Sequence, residues 1–197
     1  MAEEIEELLA QLETESFTFL IIDIVKYSNI KDEGQLIIVS LLTSILKELV
    51  NGNKYKVYIK AKFSTGDGAV ICFKNSLKAF QFAKDLFIKI GKDSFNLIKI
   101  RLGINCGNVY VYDDLNGNLN VAGNAINVTQ RILDSGDVNH FLISNQIYDQ
   151  IKSSSFTKGF TFDPYIIKDK HNFNHVIYNV YNESIGNKSK PTIRDEA

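Results

Sequence analysis

The chain has 197 residues, of which 45% are hydrophobic and 23% are charged, and its formal net charge is −1. This length and composition are typical of one globular domain with a sizeable core, and they exclude a long second domain. Because the charge is balanced, the chain lacks the general positive field that nucleic acid or an anionic membrane would require. We therefore expect a small-molecule partner, with no nucleic acid or membrane partner, and a phosphate site only if it is local.

The sequence also indicates the compartment. It contains no run of about 18 apolar residues that could cross a membrane. The N-terminal stretch is acidic, whereas a secretory signal would be basic and then apolar, so we expect a cytoplasmic protein. Cys72 and Cys106 lie inside apolar strand-like runs without the spacing of a zinc site, which indicates buried free thiols.

The hydrophobic pattern predicts an α+β fold. Residues 1–16 are assigned to an N-terminal helix that packs on the domain or on a partner chain, because apolar residues recur on one helical face. Further helices are predicted over 33–50, 76–90, 123–133 and 145–151, and strands over 17–22, 57–65, 69–73, 98–105, 109–112, 141–143, 160–168 and 176–181. This order predicts a ferredoxin-like βαββαβ core with a mainly antiparallel sheet, in a domain that spans residues 17–182. Residues 183–197 lose all periodicity, and we expect a flexible tail there.

Two aspartates lie where predicted strands end. Asp23 follows the apolar run Phe17 to Ile22, and a carboxylate there is costly to bury unless a cation or hydrogen bonds satisfy it. Asp67 lies at the tip of a hairpin that would stand beside that strand in an antiparallel sheet. Two such carboxylates and the carbonyl of Ile24 are oxygen ligands of the kind that Mg²⁺ takes. Each aspartate alone also has an ordinary explanation, since Asp-Gly favours hairpin turns and a strand-end Asp often caps a loop.

A third element is the helix predicted over 123–133. Asn127 and Arg131 are four residues apart and therefore project from one helical face. An amide that can hold a ribose edge, beside a guanidinium that can bind a phosphate, suits a nucleotide. The alternative for an isolated pair is a solvated polar face.

The chain resembles the catalytic domain of the class III nucleotidyl cyclases in four segments that occur in the same order and spacing: FTFLIIDIVKYS, FSTGDGAVICF, IRLGINCGNVYV and NVAGNAINVTQRI. The resemblance runs from about Phe17 to Tyr181, and four ordered motifs are far more specific than any one of them. It implies the class III cyclase fold. It also implies cyclisation of a nucleoside triphosphate with two Mg²⁺ or Mn²⁺ ions per active site, at the interface of a head-to-tail homodimer.

The resemblance implies roles for the first group of site residues. Asp23 and Asp67 correspond to the metal-binding aspartates of the family, and the carbonyl of Ile24 would assist them. Tyr27 and Ser28 lie where the backbone of the family wraps the triphosphate. One metal would activate the ribose 3′-hydroxyl, and the other would hold the leaving pyrophosphate.

The other catalytic residues would come from the second subunit. Asn127 corresponds to the ribose-orienting asparagine of the family, and Arg131 to the arginine that stabilises charge at the α-phosphate. Lys168 resembles the late triphosphate-binding lysine, and Lys170 is the alternative if the register shifts.

Three positions depart from the family pattern. Lys26 stands where a small residue, usually Gly, precedes the aromatic residue. Asn105 replaces the usual His. Asn108 stands near the position at which some members place a further phosphate-binding arginine, so that contact is not expected in this chain.

The base-binding positions depart further. Purine cyclases of the family carry a polar residue three places before the Gly of the metal hairpin, and another three places before the Gly that opens the Asn/Arg helix. Here these positions are Phe63 and Asn120. A phenyl ring occupies volume that a purine would need, and the Asn120 amide can both donate to and accept from a single-ring base, which points to UTP or CTP. Phe63 could also be ordinary core, and a one-residue register slip would bring Lys62 or Ser64 to the site instead.

These features resemble the small stand-alone pyrimidine cyclases of bacterial anti-phage (Pycsar) systems, which make cyclic UMP or cyclic CMP for a separate effector protein. We therefore expect a pyrimidine nucleotide cyclase, in the first place a uridylate cyclase, that serves anti-phage defence. One alternative is an adenylate or guanylate cyclase of the same family. The other is a non-catalytic cyclase-like module for dimerisation or nucleotide binding.

Overall fold

The computed structural model describes residues 14–93, 97–168 and 174–192 of the chain. Most of the N-terminal helix predicted over 1–16 lies outside the described residues. Its last three residues, 14–16, were assigned wrongly, because they form the start of the first strand. They are polar and exposed, so their sequence carries no strand periodicity, and their place in the sheet comes from pairing with a neighbouring strand.

The described residues form eight strands and four α-helices. The strands are β1 Thr14–Ile24, β2 Ile59–Ser64, β3 Gly68–Phe73, β4 Ile100–Asp113, β5 Leu119–Ala122, β6 Phe141–Ser144, β7 Thr161–Lys168 and β8 Asn174–Tyr181. The helices are α1 Asp32–Asn51, α2 Ser76–Asp93, α3 Asn124–Asp134 and α4 Asn145–Ile151. Among these residues no helix is both long enough and apolar enough to cross a membrane.

The strands form one sheet in the order β2-β3-β1-β4-β6-β8-β7, and β5 pairs with the far end of β4. All neighbours are antiparallel except β4 and β6. The predicted α+β class and the mainly antiparallel sheet are thereby confirmed. The parallel pair follows from the connection through α3, since a crossover helix returns the chain to the same end of the sheet.

Strand β1 lies at the centre of the sheet and is apolar on both faces. Leu20 and Ile22 belong to the main core under α1 and α2. Phe19 and Ile21 point to the other face and join a second cluster with residues of β5 and α3. This alternation explains the continuous apolar run in the sequence, which is typical of a strand that is covered on both sides. Cys72, on β3, is buried and free as predicted, whereas Cys106, on β4, is free but only half-buried.

The prediction of two strands around Cys106, Gly107 and Asn108 is wrong. The three residues continue β4 and pair with Thr18, Phe17 and Ser16 of β1. A Cβ on Gly107 would lie 2.9 Å from the Cβ of Ala125, so the glycine lets helix α3 approach the sheet and does not mark a turn. Strand β5, which was not predicted, is short and pairs with the free end of this long strand.

The segment after β8 is also different from the prediction. The described part of the expected tail, up to Thr192, packs on the domain. Ile185 is buried, and the Asn187 side chain donates a hydrogen bond to the carbonyl of Val138. The carbonyl of Ser189 accepts from Asn179 and lies 2.9 Å from the ring nitrogen Nε2 of the buried His140. Backbone hydrogen bonds of this kind have no hydrophobic period, which is why the sequence pattern missed them.

We expect Asn187→Ala to destabilise the domain by about 1–2 kcal/mol, because it leaves the Val138 carbonyl and the Ser189 N–H without their partner. For a chain of this size, that corresponds to a fall in Tm of roughly 2–8 °C. Thermal unfolding followed by circular dichroism measures the shift. Lys188→Ala is the matched control, because Lys188 is exposed in the same segment. Equal Tm values for the two variants would mean that this segment does not hold the fold.

Candidate active site

The hairpin between β2 and β3 brings Asp67 to the end of β1. A Cβ on Gly68 would lie only 2.0 Å from the carbonyl oxygen of Ile22, so only glycine allows this approach. Gly66 has a φ of 91°, which also favours glycine. The N–H of Ile24 donates to the carbonyl of Asp67 over 3.1 Å. The Gly-Asp-Gly turn is therefore fastened to the strand that carries Asp23.

The surroundings of Asp23 disfavour its charged form. Burial raises the pKa of Asp23, and the neighbouring Asp67 carboxylate raises it further, while the guanidinium of Arg101 acts in the opposite direction. In an extended strand the N–H and C=O of one residue point to the same side, so the carbonyl of Ile24 faces the hairpin together with its N–H. The three oxygen groups predicted as metal ligands, the carboxylates of Asp23 and Asp67 and the carbonyl of Ile24, thus lie at one corner of the sheet.

Arg101 is the residue of this corner that sequence reasoning missed. It lies opposite Asp23 in the β1–β4 register, and its Nε donates to Oδ2 of Asp23 over 2.7 Å. Its other nitrogens reach the end of α3, where Nη2 lies 3.1 Å from Oδ1 of Asp134 and Nη1 donates to the carbonyl of Gly136. The sequence did mark Arg101 as unusual, because it is a charged residue inside the strand predicted over 98–105. Only the pairing register of β1 and β4 connects it with Asp23.

The turn after β1 has the shape of an anion site. Lys26 adopts a left-handed conformation with a φ of 60°, and residues Tyr27–Asn29 follow as a single 3₁₀ turn. Successive N–H groups in such a left-handed and then right-handed turn converge to form a concavity that attracts anions. The Tyr27 ring packs against the main core, whereas Ser28 is exposed. The left-handed φ explains why glycine is the usual residue at the position of Lys26.

Helix α3 carries Asn127 and Arg131 on the side opposite its buried residues. It is held close to the sheet by Gly103, where a Cβ would lie 3.0 Å from the backbone of the helix, and by Asn105, whose amide donates to the carbonyl of Ala125 over 3.1 Å. The position at which the family has His therefore anchors this helix.

Asn127 is distant from the part of helix α3 that contacts the corner of the sheet. Asp134, in the last turn of α3, is the part of the helix that reaches the corner of the sheet, through Arg101. Asn127 lies seven residues earlier, which is about 10 Å along the helix axis, and faces outward.

The two predicted base-binding residues lie on neighbouring strands. Phe63 is half-buried on β2, opposite Val70 of β3, and packs in the second cluster. Strand β5 lies against β2, and Leu119 and Val121 join the same cluster on either side of Asn120. Asn120 is half-buried, and its Oδ1 accepts from the N–H of Val121 over 2.8 Å. The register places Phe63 on the apolar face, as the alternation in the sequence predicted.

The late lysine is only partly located. Lys168 is exposed at the end of β7, opposite Asn174 of β8. Lys170 lies outside the described residues, so the choice between the two lysines remains a prediction.

The donor set fits a hard divalent cation. Among the described residues no cluster of three or more His, Cys, Asp or Glu side chains is arranged to hold a metal. The Asp67 carboxylate nevertheless lies close enough to Asp23 to disfavour the charged form of Asp23, which a bound cation would relieve. Two carboxylates and a carbonyl leave coordination positions for the oxygens of a phosphate ligand, as Mg²⁺ sites in nucleotide enzymes do.

Comparisons with known proteins relate the fold to solved structures. No protein-family model and no curated protein matches the sequence. The guanylate cyclase domain of RhGC from Catenaria anguillulae, solved in complex with GTP, is 22% identical, with a TM-score of 0.70 over 86% of this chain and 98% of that chain. This chain has the class III nucleotidyl cyclase fold.

Two further cyclase structures show the same fold. The non-canonical dimeric guanylyl cyclase domain of the RhoGC fusion protein from Blastocladiella emersonii is 22% identical, with a TM-score of 0.66 over 86% of this chain and 98% of that chain. A structure of adenylate cyclases from Trypanosoma brucei in their monomeric state has a TM-score of 0.73 at 12% identity, over 92% and 94% of the two chains. The match covers nearly the whole cyclase domain in each case.

We expect Asp67→Asn to stabilise the metal-free cyclase-fold domain at neutral pH and to abolish its stabilisation by Mn²⁺. The physical reason is that Asp67 raises the pKa of Asp23, so the ionised pair opposes folding. Because the folded state holds the Asp23 proton more tightly than the unfolded chain does, metal-free stability should fall as the pH rises through this titration, and less so in the variant.

Thermal unfolding in chelator and in Mn²⁺, measured across pH, tests this prediction. Asp113→Asn, at the exposed end of β4, is the matched control and should behave like wild type. A variant that is less stable than wild type in chelator would show that the two carboxylates do not repel each other.

Proposed function

We propose that this chain is a nucleotide cyclase that converts a nucleoside triphosphate to its 3′,5′-cyclic monophosphate and pyrophosphate. The observation that carries the proposal is the corner of the sheet at which Asp23 and Asp67 adjoin the anion-binding turn of Lys26 to Ser28. A carboxylate pair beside converging N–H groups is the arrangement that a metal-bound triphosphate requires. The cyclase fold supports this assignment.

Each group in the chain has a task in this reaction. Asp23, Asp67 and the carbonyl of Ile24 would hold two Mg²⁺ or Mn²⁺ ions, which supply activation of the ribose 3′-hydroxyl and neutralisation of phosphate charge. The backbone N–H groups at Tyr27 and Ser28 bind phosphate oxygens. The 3′-hydroxyl gives up its proton to water, and its oxygen bonds to the α-phosphorus as the bond from that phosphorus to the α,β-bridging oxygen breaks and pyrophosphate leaves.

The remaining catalytic groups come from a second copy of the chain. Asn127 and Arg131 face outward from α3, about 10 Å or less along the helix from the end that reaches Asp23, so they complete a site in a neighbouring subunit. Asn127 orients the ribose, and Arg131 stabilises the charge that develops at the α-phosphate. Lys168, or Lys170, binds the triphosphate. The working unit is thus a head-to-tail homodimer, and a related guanylyl cyclase domain is described as dimeric.

The substrate base in this proposal is a pyrimidine, UTP before CTP. Phe63 occupies the place of a polar purine-reading residue, and it lies half-buried against β5, which carries Asn120. An aromatic ring in this position narrows the space for the base, while an Asn amide can pair with either pyrimidine. The cyclic product would act as a second messenger for a separate effector in anti-phage defence.

Purine specificity is the second candidate, because the similar structures are guanylyl and adenylyl cyclases. A competition assay separates the candidates. Purified protein is incubated with equal ATP, GTP, CTP and UTP in Mn²⁺, and the products are identified by mass spectrometry. Cyclic UMP or cyclic CMP is the expected product. A cyclic purine alone would overturn the pyrimidine assignment, and no cyclic product at all, with Asp23→Ala indistinguishable from wild type, would favour a non-catalytic module.

We expect Phe63→Ala to raise kcat/KM for ATP or GTP relative to that for UTP by about tenfold, which is the low end of what one methylene group in a hydrophobic pocket is worth. Removing the ring opens volume for a second ring and weakens contact with a single-ring base. Val111→Ala is the matched control, because Val111 is a half-buried member of the same cluster. It should lower stability without changing the ratio. If both variants change the ratio equally, Phe63 acts through the core and not through the base.

A further inference from the structure

The turn after β1 makes few hydrogen bonds of its own. Its internal bonds run from the N–H of Asn29 to the carbonyl of Lys26 and from the N–H of Ile30 to the carbonyl of Tyr27. The earlier N–H groups, those of Lys26, Tyr27 and Ser28, take no part in these two bonds, as in the first turn of any helix. The left-handed conformation of Lys26 costs roughly 1 kcal/mol for a residue with a side chain. The turn therefore needs an external contact to hold its shape.

Gln35, in the first part of α1, makes that contact. Its Nε2 donates to the carbonyl of Ile30 over 2.9 Å and to the carbonyl of Tyr27 over 3.3 Å. The neighbouring Gly34 brings the helix close to the turn, since a Cβ there would lie 2.8 Å from the side chain of Ile30. Gln35 is half-buried, so its amide is partly shielded from competition with water. One side chain thus holds two carbonyls of the turn.

The bond from Gln35 to the Tyr27 carbonyl acts together with the bond from the Ile30 N–H to fix the direction of this peptide group. In a planar trans peptide, the C=O of Tyr27 and the N–H of Ser28 point in opposite directions. Drawing the Tyr27 carbonyl toward α1 therefore turns the Ser28 N–H away from α1. We infer that Gln35 is a positioning residue for the triphosphate, because it holds the turn in the shape in which the N–H groups of Lys26 to Ser28 converge on phosphate oxygens. This inference rests on the proposed cyclase function, yet it concerns phosphate binding and can be tested without catalysis.

The test measures binding of inorganic tripolyphosphate in Mg²⁺ by isothermal titration calorimetry. Gln35→Leu keeps the size of the side chain and removes both donated bonds, so we expect about tenfold weaker binding, from two hydrogen bonds at the usual net strength. In the cyclase assay, KM for the preferred triphosphate should rise by a similar factor with kcat within about twofold, because a preorganised binding contact is lost. Ser40→Ala, exposed on the same helix, is the matched control and should bind like wild type.

The readouts separate a positioning role from a purely structural one. Mn²⁺ stabilisation through Asp23 and Asp67 should be unchanged in Gln35→Leu, since the carboxylates do not contact Gln35. Gln35→Lys keeps a donor and should bind tripolyphosphate within about threefold of wild type. This variant also provides the test if Gln35→Leu does not fold.

Three results would overturn the inference. The first is equal binding by wild type and Gln35→Leu, which would leave the cyclase proposal intact. The second is binding by Gln35→Lys that is as weak as expected for Gln35→Leu. The third is a wild-type protein that binds no tripolyphosphate in Mg²⁺, which would remove the anion site itself, whereas the product assay decides independently whether the chain is a cyclase.

Discussion

The close approach of the β2–β3 hairpin to β1 is the constraint on which the site depends. The carbonyl of Ile22 occupies the space where a side chain at position 68 would lie, so the hairpin can approach β1 this closely only with glycine at that position. The backbone bond from Ile24 to Asp67 then fixes the height of the turn on the strand. Two carboxylates meet as a consequence of backbone geometry. Their repulsion is the cost of the arrangement, and it is the property that makes the corner attractive to a cation.

Arg101 makes this arrangement tolerable in the absence of a metal. Its side chain is only 16% exposed, and its guanidinium is shared between Asp23 and the end of α3. The end of α3 leads into residues 137–140, which the segment after β8 covers with bonds to Val138 and His140. The corner of the sheet that carries Asp23, helix α3 and the C-terminal segment are therefore parts of one connected set of polar contacts. A charged residue held by several fixed acceptors is well placed to keep the ends of β1 and α3 in register.

Much of the fold could be predicted from the sequence, because helices and central strands carry periodic apolar patterns. The features that were missed lack such patterns. Across β1 and β4, residues 14–16 pair with residues 108–110, and residues 106–108 pair with residues 16–18. The polar or small side chains of residues 14–16 and 106–108 leave no trace of this pairing in the sequence. The C-terminal segment is held by side-chain and backbone hydrogen bonds to distant residues. Long-range contacts of this kind become visible only when the strand register is known.

The candidate site divides in the same way. Asp23, Asp67, Asn127 and Arg131 were found because they lie in ordered motifs, and the structure places each on the element expected for it. Arg101 was not connected with them, since its role comes from lying opposite Asp23 in the sheet. Gln35 was likewise invisible, because its two acceptors are backbone carbonyls, which every sequence has. Sequence patterns thus locate groups that would meet the ligand and miss the groups that hold them.

A single chain presents both halves of the proposed site, yet on different surfaces. The carboxylate corner and anion-binding turn lie at the end of β1, and Asn127 and Arg131 face outward from α3. In a two-fold symmetric dimer, the corner of each chain would meet helix α3 of the other chain, so the same contact occurs twice. One association step therefore completes two equivalent sites. In the proposed dimer, the groups that stabilise charge at the α-phosphate come from the second subunit. An isolated chain would then bind metal and triphosphate without that stabilisation, and dimerisation would control the reaction.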